Sequence, residues 1–515
     1  MSSNSWWGNL FRPAQRPSAV MPEPLLSPSR SPATPALPPP PPPPPPVVRT
    51  DTVILGAGLA GLSCATELVR GGYKGEMRLI EASDAPGGRV RTDVHAEGYL
   101  LDRGFQVFIE SYPEARELFA SLPGGFAGLD LQAFLPGAVV RCEGGFHLVS
   151  DPLRRPQDLL ASLVSPVGSL IDKVIVGLFS VWIRFQRVET PEDLLRLDET
   201  STRAYLADAL GLSPSIVDRF LQPFFQGIFL APLSRQSSRM FSFVFKMFTT
   251  GSACLPAGGM GRVAAVLADA LPSGTVSYNT RATSVQRSGD GGYRVSVAGG
   301  AYSLECRNLV VAVDPEAVNP LLMAGARAAG VEGDEDGVRT KGGGMPTSVD
   351  VPEARGSLCL YFGIDGPPPV VQPMLILNGD NAMEPLGPQS ERPLAAINNV
   401  CFPSQVSRSY APAGKSLASV TVVDPAALKL HEVTLDACVR KQLELWWPDH
   451  GVANWKLLRV YRIPYAQPAQ TPPYTLSSPA RLQDRLFLCG DHRATATLNG
   501  AIASGREAAQ QILQS

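Results

Sequence analysis

The sequence is poor in the residue patterns that bind metals or nucleic acids. Its 515 residues include eight cysteines and five histidines, and neither type forms a pair at the spacing of a zinc or iron–sulfur site. Scattered cysteines without a Cys-x-x-Cys pair favour a reducing compartment. The formal net charge is −2, and no basic patch is interleaved with aromatics, so no metal and no nucleic-acid partner are expected. A Gly-x-Ser-x-Gly elbow is also missing, which argues against a serine nucleophile.

Long apolar runs are equally scarce. No segment near the N-terminus has the form of a secretory signal. Residues 163–185 are apolar, but Asp172 and Lys173 interrupt them, so a membrane-spanning helix is not predicted. Two interpretations remain: a helix of the core or of a channel wall, and a helix lying on a membrane surface. The core interpretation is favoured, with peripheral membrane association as the second.

The first 47 residues differ in composition from the rest of the chain. They combine many Pro and Ser residues with nine consecutive prolines over 38–46 and a single acid, Glu23. Such a segment cannot bury a core, so we expect a disordered or polyproline II chain. A transit peptide and a disordered tail that binds a proline-recognition module both fit this composition. We favour the transit peptide, and with it a plastid (chloroplast) location.

The most informative stretch follows directly after that segment. Residues 53–55 are apolar and lead into a Gly-x-Gly-x-x-Gly turn formed by Gly56, Gly58 and Gly61. In such a turn the first glycine permits the tight bend, the second lets a pyrophosphate approach the backbone, and the third lets the helix pack close to the strand. A second apolar run ends at Glu81, where an acid accepts the ribose hydroxyls. The sequence therefore predicts a dinucleotide site for an adenosine without a 2′-phosphate.

A glycine pair and an arginine stand a few residues beyond the acid. These are Gly87, Gly88 and Arg89, and the stretch 102–106 (Asp-Arg-Gly-Phe-Gln) follows soon after. In these residues the chain resembles the flavin-containing amine oxidase and phytoene desaturase superfamily. The resemblance implies FAD as the cofactor, with Gly88 in its loop and Arg89 facing the pyrophosphate. An arginine suits that position because its guanidinium offers several donors to phosphate oxygens.

The resemblance returns at the C-terminal end. An apolar strand ends in Gly490 and Asp491, and the last helix opens with Asn499, Gly500 and Ala501. In the family, the aspartate bonds the ribityl chain of FAD, and the helix N-terminus points at the pyrimidine end of the flavin. The resemblance therefore assigns these five residues to cofactor binding. A helix N-terminus at that place stabilises the negative charge of a reduced flavin.

A third match lies in the middle of the chain. After a Leu-Pro-Ala-Gly-Gly segment at 255–259, the resemblance implies that Val285 lends backbone atoms near the adenine. The implied fold is α/β: a discontinuous Rossmann-type FAD-binding domain with an inserted α+β substrate domain. The predicted segments are 1–47 (proline-rich), 48–130, 250–325 and 478–515 (FAD-binding domain), 131–249 and 350–477 (substrate domain), and 326–349 (loop insertion).

The predicted substrate domain says less about its ligand. Segments 220–230 and 240–248 are dense in aromatics, which is typical of a core and also fits an apolar tunnel wall. The resemblance puts Tyr465 and Thr497 near the flavin, and amine oxidases of the superfamily carry a tyrosine where Thr497 stands. This difference favours a carotenoid or isoprenoid desaturase or isomerase over an amine oxidase, and a protoporphyrinogen oxidase-like enzyme remains a further alternative. A flavin-bound protein without activity is the remaining alternative.

The predicted mechanism is hydride transfer from a carbon–hydrogen bond of a hydrophobic small-molecule substrate to the flavin N5. The cofactor supplies the chemistry, while the protein supplies orientation, exclusion of water and charge stabilisation, so no catalytic base is named. A second Gly-x-Gly-x-x-Gly motif is missing, which argues against direct reduction by a nicotinamide. The electron acceptor, oxygen or a quinone, stays open.

Overall fold

A computed structural model gives the positions of residues 46–151, 154–328, 346, 348–380 and 396–515. The predicted segment 1–47 lies outside these described residues except for its last two positions. Most of the predicted insertion at 326–349 lies outside them as well.

The described residues form twenty β-strands and fourteen α-helices, joined by short 3₁₀ and π turns. The strands are β1 Val47–Leu55, β2 Met77–Ile80, β3 Thr92–Val94, β4 Leu100–Asp102, β5 Phe108–Ile109, β6 Leu131–Ala133, β7 Gly137–Cys142, β8 Gly145–Ser150, β9 Ala253–Pro256, β10 Val276–Ser277, β11 Ala282–Arg287, β12 Tyr293–Val297, β13 Ser303–Val311, β14 Ala354–Asp365, β15 Leu375–Asn378, β16 Ile397–Cys401, β17 Lys415–Val422, β18 Lys456–Pro468, β19 Arg481–Gln483 and β20 Leu486–Leu488. The helices are α1 Leu59–Arg70, α2 Pro113–Ala120, α3 Leu159–Val164, α4 Leu170–Phe185, α5 Pro191–Leu195, α6 Thr202–Ala204, α7 Pro214–Ile216, α8 Gln222–Phe229, α9 Ser238–Thr250, α10 Gly261–Asp269, α11 Pro315–Ala328, α12 Pro403–Val406, α13 Glu432–Trp446 and α14 Leu498–Leu513.

The first sheet is built around parallel strands. Its order is β10-β2-β1-β13, with β20 parallel to the end of β13 and β12 antiparallel to its start. The apolar run of β1 is explained by burial on both faces, as expected of a parallel sheet. Ile54 packs into the cluster that contains α1 and α14, whereas Val53 and Leu55 pack into the cluster that contains α11. The predicted α/β fold is therefore confirmed.

The second sheet is mostly antiparallel and has the order β18-β14-β17-β16-β15-β7-β8. Only its β15–β7 pair is parallel. On one side, Leu435, Val439 and Leu443 of α13 pack into a cluster with strand residues such as Leu360 and Val420. Helices α3 to α9 are supplied by the segment between β8 and β9. The cavity described below lies between the two sheets.

The apolar stretch at 163–185 does not form one core helix. It comprises the end of α3, a loop and α4. Phe179 and Ile183 are buried, as the core interpretation predicted, but Ile171, Val174 and Leu178 are exposed. The core interpretation is therefore wrong for the outward face of α4. Among the described residues, no helix combines the length and the apolar character needed to cross a bilayer.

Candidate functional site

A cavity of about 990 Å³ lies where the predicted nucleotide loop meets the second sheet. Leu55, Ile80 and Ala312 line it at the carboxyl ends of β1, β2 and β13. Carboxyl ends of parallel strands are the usual place for a dinucleotide in an α/β sheet. Asn399 and Thr421 line the opposite end. The cavity thus has a nucleotide wall, built from the first sheet, and a far wall, built from the second sheet and the helices beside it.

The three glycines of the loop occupy three different environments. Gly56 has φ +105°, and a Cβ there would lie 2.6 Å from the carbonyl oxygen of Ala312. A Cβ on Gly61 would lie 2.0 Å from the carbonyl oxygen of Gly56. A Cβ on Gly58 would meet nothing within 4 Å, because this residue faces the open cavity. Strand and helix therefore approach each other at Gly56 and Gly61, and a ligand has access to the backbone at Gly58.

The first turn of α1 points its N-terminal end at the cavity. Its N-cap is Gly58, which provides no side-chain cap, and Leu59 and Ala60 line the cavity. The first backbone N–H groups of a helix have no intrahelical acceptor and lie at the positive end of its dipole. This end of the helix is therefore suited to bind an anionic phosphate.

Glu81 is held in a fixed orientation beside this loop. Its Oε2 accepts a hydrogen bond from the backbone N–H of Ala57 at 2.7 Å. Its Oε1 accepts from the backbone N–H and the hydroxyl of Ser83, at 2.8 and 2.7 Å. The carboxylate lines the cavity near residues 280–283. A carboxylate has about four acceptor positions, and three are occupied by these bonds, so about one is left for a ribose hydroxyl.

Arg89 and Asp491 form an ion pair across the cavity that the sequence did not predict. Arg89 donates two hydrogen bonds to the Asp491 carboxylate, at 2.8 and 2.7 Å, and a third to the carbonyl of Ala466 at 3.0 Å. Burial opposes both charges, but each charge stabilises the other. The pKa of Arg89 is consequently raised and the pKa of Asp491 lowered. Both side chains line the cavity, which brings the two ends of the sequence together.

The start of α14 forms another part of the nucleotide wall. Thr497 is its N-cap, and the Thr497 hydroxyl accepts from the backbone N–H of Gly500 at 3.0 Å. Thr497 and Ala501 line the cavity, whereas Gly500 packs against the carbonyl oxygen of Thr495. Thr497 therefore has a structural task as the cap of α14.

Three other residues assigned from the sequence are not among the cavity's lining residues. The Oδ1 of Asn499 accepts from the backbone N–H of Glu114 at the start of α2. Val285 is fully buried next to α11, and the cavity is lined instead by residues 280–283. Tyr465 is 7% exposed, and the Arg89 guanidinium carbon lies 5.7 Å from its ring centroid. Gly88 and Gly490, by contrast, do line the cavity.

Sequence reasoning missed several polar side chains of the cavity. His492 is 8% exposed, and neither ring nitrogen has a partner among the described residues; burial lowers its pKa to about 4. Asn399 and Thr421 are opposite each other on β16 and β17. Their Oδ1 and Oγ1 atoms are buried without a partner among the described residues. His492 directly follows the Gly-Asp pair, a signal that would have located it, but no local motif marks Asn399 or Thr421.

Apolar side chains complete the far wall. Phe224, Ile228 and Phe248 come from α8 and α9. Leu375 and Ile463 come from the second sheet. In the same two aromatic segments, Phe225, Phe229, Phe241 and Phe243 are buried in the core. The segments therefore contribute both to the core and to the cavity wall. In the part of the chain that the structure describes, no group of three or more His, Cys, Asp or Glu side chains is arranged to hold a metal ion.

A glycine loop, a helix N-terminus and a fixed acid on one wall of the cavity are typical of a dinucleotide-binding protein, and the far wall of the same cavity is largely apolar. The family of flavin containing amine oxidoreductases matches residues 59–513, and the chain belongs to that family. FAD is therefore the cofactor, and the chain is an FAD-dependent oxidoreductase. The open backbone at Gly58 and the unpartnered, buried His492 nitrogens fit a large polar cofactor at the nucleotide wall.

Relatives of two chemistries match parts of the chain. An L-amino-acid oxidase of Daboia russelii is 30% identical over 179 residues, which are 32% of this chain and 33% of the relative. A 15-cis-phytoene desaturase (chloroplastic/chromoplastic) of an Oncidium hybrid cultivar is 39% identical over 72 residues, 14% of this chain and 12% of the relative. The chain thus spans a third or less of the length of these curated relatives.

The fold itself is similar to solved structures over nearly its whole length. A putative protoporphyrinogen oxidase from Exiguobacterium sp. 255-15 is similar with a TM-score of 0.63 at 16% identity, covering 90% of this chain and 98% of the other. At this level of identity the similarity concerns the fold alone.

Proposed function

We propose that the chain oxidises a hydrophobic substrate by transfer of a hydride from a substrate carbon to FAD, and that the substrate is a carotenoid or another isoprenoid. The observation that carries this proposal is the continuity of the cavity, which joins the nucleotide wall to a chamber lined by Phe224, Ile228 and Phe248. A long hydrocarbon requires a dry, fitted chamber more than charged recognition groups. Thr497, in place of an aromatic side chain, agrees with this substrate class.

Each wall has a separate task in this reaction. A bound flavin would supply the two-electron acceptor for the hydride, and the second hydrogen would leave the neighbouring substrate atom as a proton released to solvent. The positive end of α14 stabilises negative charge at this site, and the loop at Gly58 and the pair Arg89–Asp491 hold the polar part of the cofactor. The apolar side chains of the far wall exclude water and orient the carbon–hydrogen bond. Oxygen or a quinone then takes the electrons away; an isomerisation would instead start from reduced FAD and need no acceptor.

A specific observation favours a second candidate, the oxidation of an amine or of a porphyrinogen. The buried Asn399 Oδ1 and Thr421 Oγ1 have no partner among the described residues, and both side chains line the cavity. A buried acceptor without a donor costs about 1–3 kcal/mol, and a substrate with an N–H group would remove that cost. A hydrocarbon would not.

Anaerobic titration of the purified holoprotein distinguishes these candidates. The flavin absorbance is followed while cis-carotenes in detergent, a series of primary amines and polyamines, and protoporphyrinogen are added separately. We expect bleaching by the carotenes alone. Bleaching by amines or by protoporphyrinogen alone would overturn the isoprenoid proposal in favour of the second candidate. An absence of bleaching in all three arms, repeated with chemically reduced FAD and assayed for carotene isomers, would overturn both.

A plastid location is proposed on separate grounds. Segment 1–47 has the composition of a transit peptide, and matched phytoene desaturases are chloroplastic. A fusion of residues 1–47 to a fluorescent protein, expressed in leaf protoplasts, is expected to enter plastids. Diffuse cytosolic fluorescence would contradict the proposal.

A further inference from the structure

Two neighbouring helices present an apolar surface to the solvent. In residues 159–185, twelve residues are exposed, and all except Ser169 are apolar. Soluble proteins rarely expose contiguous apolar patches of more than a few hundred Å² unless the patch has a partner. We call this surface the α3–α4 face; it consists of Leu159, Leu160, Ala161, Val164, Leu170, Ile171, Val174, Leu178, Val181, Trp182 and Phe185.

The face is continuous. Ile171, Val174, Leu178 and Phe185 recur at intervals of three, four and seven residues, so they lie on one side of α4. The ammonium group of Lys173 donates to the carbonyls of residues 163 and 165, at 2.9 and 2.7 Å. These bonds tie the first turn of α4 to the end of α3 and hold the two apolar surfaces side by side.

The other side of α4 is already packed against the protein. Phe179 and Ile183 are 7% and 0% exposed. The Phe179 ring lies 5.0 Å from the ring of Phe245 and 6.1 Å from that of Phe241, both on α9. Helix α4 is therefore apolar on two sides, with only one of them covered by this chain. A helix that is apolar all round normally lies in an apolar environment on every side.

We propose that the α3–α4 face docks on the surface of an anionic phospholipid bilayer. Between residues 151 and 187 the chain carries five cationic side chains and three acids, an excess of two positive charges. All three acids are engaged: Asp151 pairs with Arg184, Asp158 pairs with Arg155, and Asp172 is 2% exposed and accepts from Ser213. An apolar stripe edged by cations is the pattern of a helix that lies in the headgroup region.

The same charges disfavour a second copy of the chain as the partner. In a two-fold dimer through α4, each helix meets the identical surface of the other, and the two helices run either parallel or antiparallel. In the parallel arrangement Lys173 would face Lys173 of the second copy, and in the antiparallel arrangement it would face Arg187 of the second copy, so like charges meet in both. Headgroup phosphates would instead pair with the cationic side chains at both ends of α4. Trp182 is 47% exposed, and a tryptophan is well suited to the boundary between headgroups and acyl chains.

The face also leads toward the cavity. A shallow apolar depression of about 390 Å³ lies between α4 and residues 205–210, and Trp182 and Phe179 line it. From there, ring contacts of 5.0 to 6.1 Å run from Phe179 through Phe245 and Phe225 to Phe224, which lines the cavity. The proposed bilayer contact rests on the exposed apolar face and not on the proposed function. Vesicle binding is measured without substrate, so the two proposals can fail separately.

The test is co-flotation of the full-length holoprotein with vesicles. One set of vesicles contains phosphatidylcholine only, and the other contains phosphatidylcholine with phosphatidylglycerol. We expect the wild type to float with the anionic vesicles, and Ile171→Glu/Leu178→Glu to bind at least about ten-fold more weakly. The matched control is Val433→Glu/Leu445→Glu on α13, which places two acids at sites that are 72% and 69% exposed. It should bind as the wild type does.

Brominated phospholipids give a readout that a folding defect would not imitate. Quenching of tryptophan fluorescence is expected in the wild type and is expected to fall in Trp182→Phe. Unchanged quenching in Trp182→Phe, or equal binding by both double variants, would overturn the proposal. A wild-type dimer that becomes monomeric in Ile171→Glu/Leu178→Glu, with no flotation, would assign the face to a second copy instead. Flotation only after removal of residues 1–45 would assign the α3–α4 face to the chain's own N-terminal segment as its partner.

Discussion

The two walls of the cavity are built on different principles. The nucleotide wall is formed by the backbone at Gly56 and Gly58 and by side chains that short hydrogen bonds hold in place, such as Glu81. The far wall is formed by side chains of α8, α9 and the second sheet, which are distant from one another in sequence. Backbone geometry demands particular residues at particular spacings, whereas an apolar chamber accepts many side chains of similar volume. The first wall therefore identifies the cofactor, and the second leaves the substrate open.

The largest expected effect concerns the close contact of strand and helix. In Gly61→Ala the new methyl group would lie 2.0 Å from the Gly56 carbonyl oxygen and 3.3 Å from the Ala312 Cβ. Because backbone must move, we expect a loss of about 2–4 kcal/mol in the free energy of unfolding, measured by urea denaturation.

Gly58→Ala is the matched control for that change. Gly58 has φ −71° and ψ 175°, which alanine adopts readily, and its Cβ would enter open space. Stability of the flavin-free protein should be unchanged, while FAD retention should fall. Equal destabilisation by the two substitutions would contradict the division between packing and ligand access in this loop.

A smaller effect is expected at the acid. Glu81→Ala removes the acceptor for a ribose and also leaves the N–H groups of Ala57 and Ser83 without their partner. We expect FAD affinity to fall by about 10- to 100-fold, because charge-assisted hydrogen bonds contribute about 1.5–3 kcal/mol. Flavin content after gel filtration measures this. Glu81→Gln, which keeps one acceptor, should lie between the two; a normal flavin content in Glu81→Ala would exclude the ribose role.

How much the sequence predicts follows the same division. Gly56, Gly58, Glu81, Arg89 and Asp491 line one cavity although 435 positions separate the first from the last. The motif spacing was sufficient because a backbone turn and a helix start are local structures. The Arg89–Asp491 ion pair was not predictable, since each residue was matched to a ligand and not to the other.

For two assigned residues, a neighbouring element decides which contact the residue makes. The Asn499 side chain bonds α2, and Val285 faces α11, so neither lines the cavity. The outward face of α4 shows the same limit. The spacing of its apolar residues predicts a helix. The spacing alone does not say whether the outward side of that helix is covered by the protein itself, by solvent or by another molecule.

On the far wall, Thr421→Val is expected to separate the two substrate classes. The change removes a buried hydroxyl without a partner among the described residues and keeps the side-chain volume. If the substrate is a hydrocarbon, as proposed, KM should change by less than about two-fold, since no bond to substrate is lost. If the substrate carries an N–H group, kcat/KM should fall by about ten-fold. Thr421→Ser, which retains the hydroxyl, is the control, and a similar loss in both variants would indicate a packing defect.

A pH dependence of stability is expected to come from His492 alone. Burial lowers its pKa to about 4, whereas an unfolded chain takes up the proton near the ordinary value of 6.5. The imidazole is therefore neutral in the folded protein above about pH 4, whereas the unfolded chain takes up a proton below about pH 6.5, so the free energy of unfolding falls as the pH drops from 6.5 toward 4. Between about pH 7 and pH 5.5, the free energy of unfolding of the wild type should fall by about 1 kcal/mol more than that of His492→Asn. The difference in pH dependence between the two proteins separates the contribution of His492 from that of carboxyl groups that titrate in the same range. Parallel pH profiles would mean that the pKa of His492 is the same in the folded and the unfolded protein, and would contradict the effect of burial.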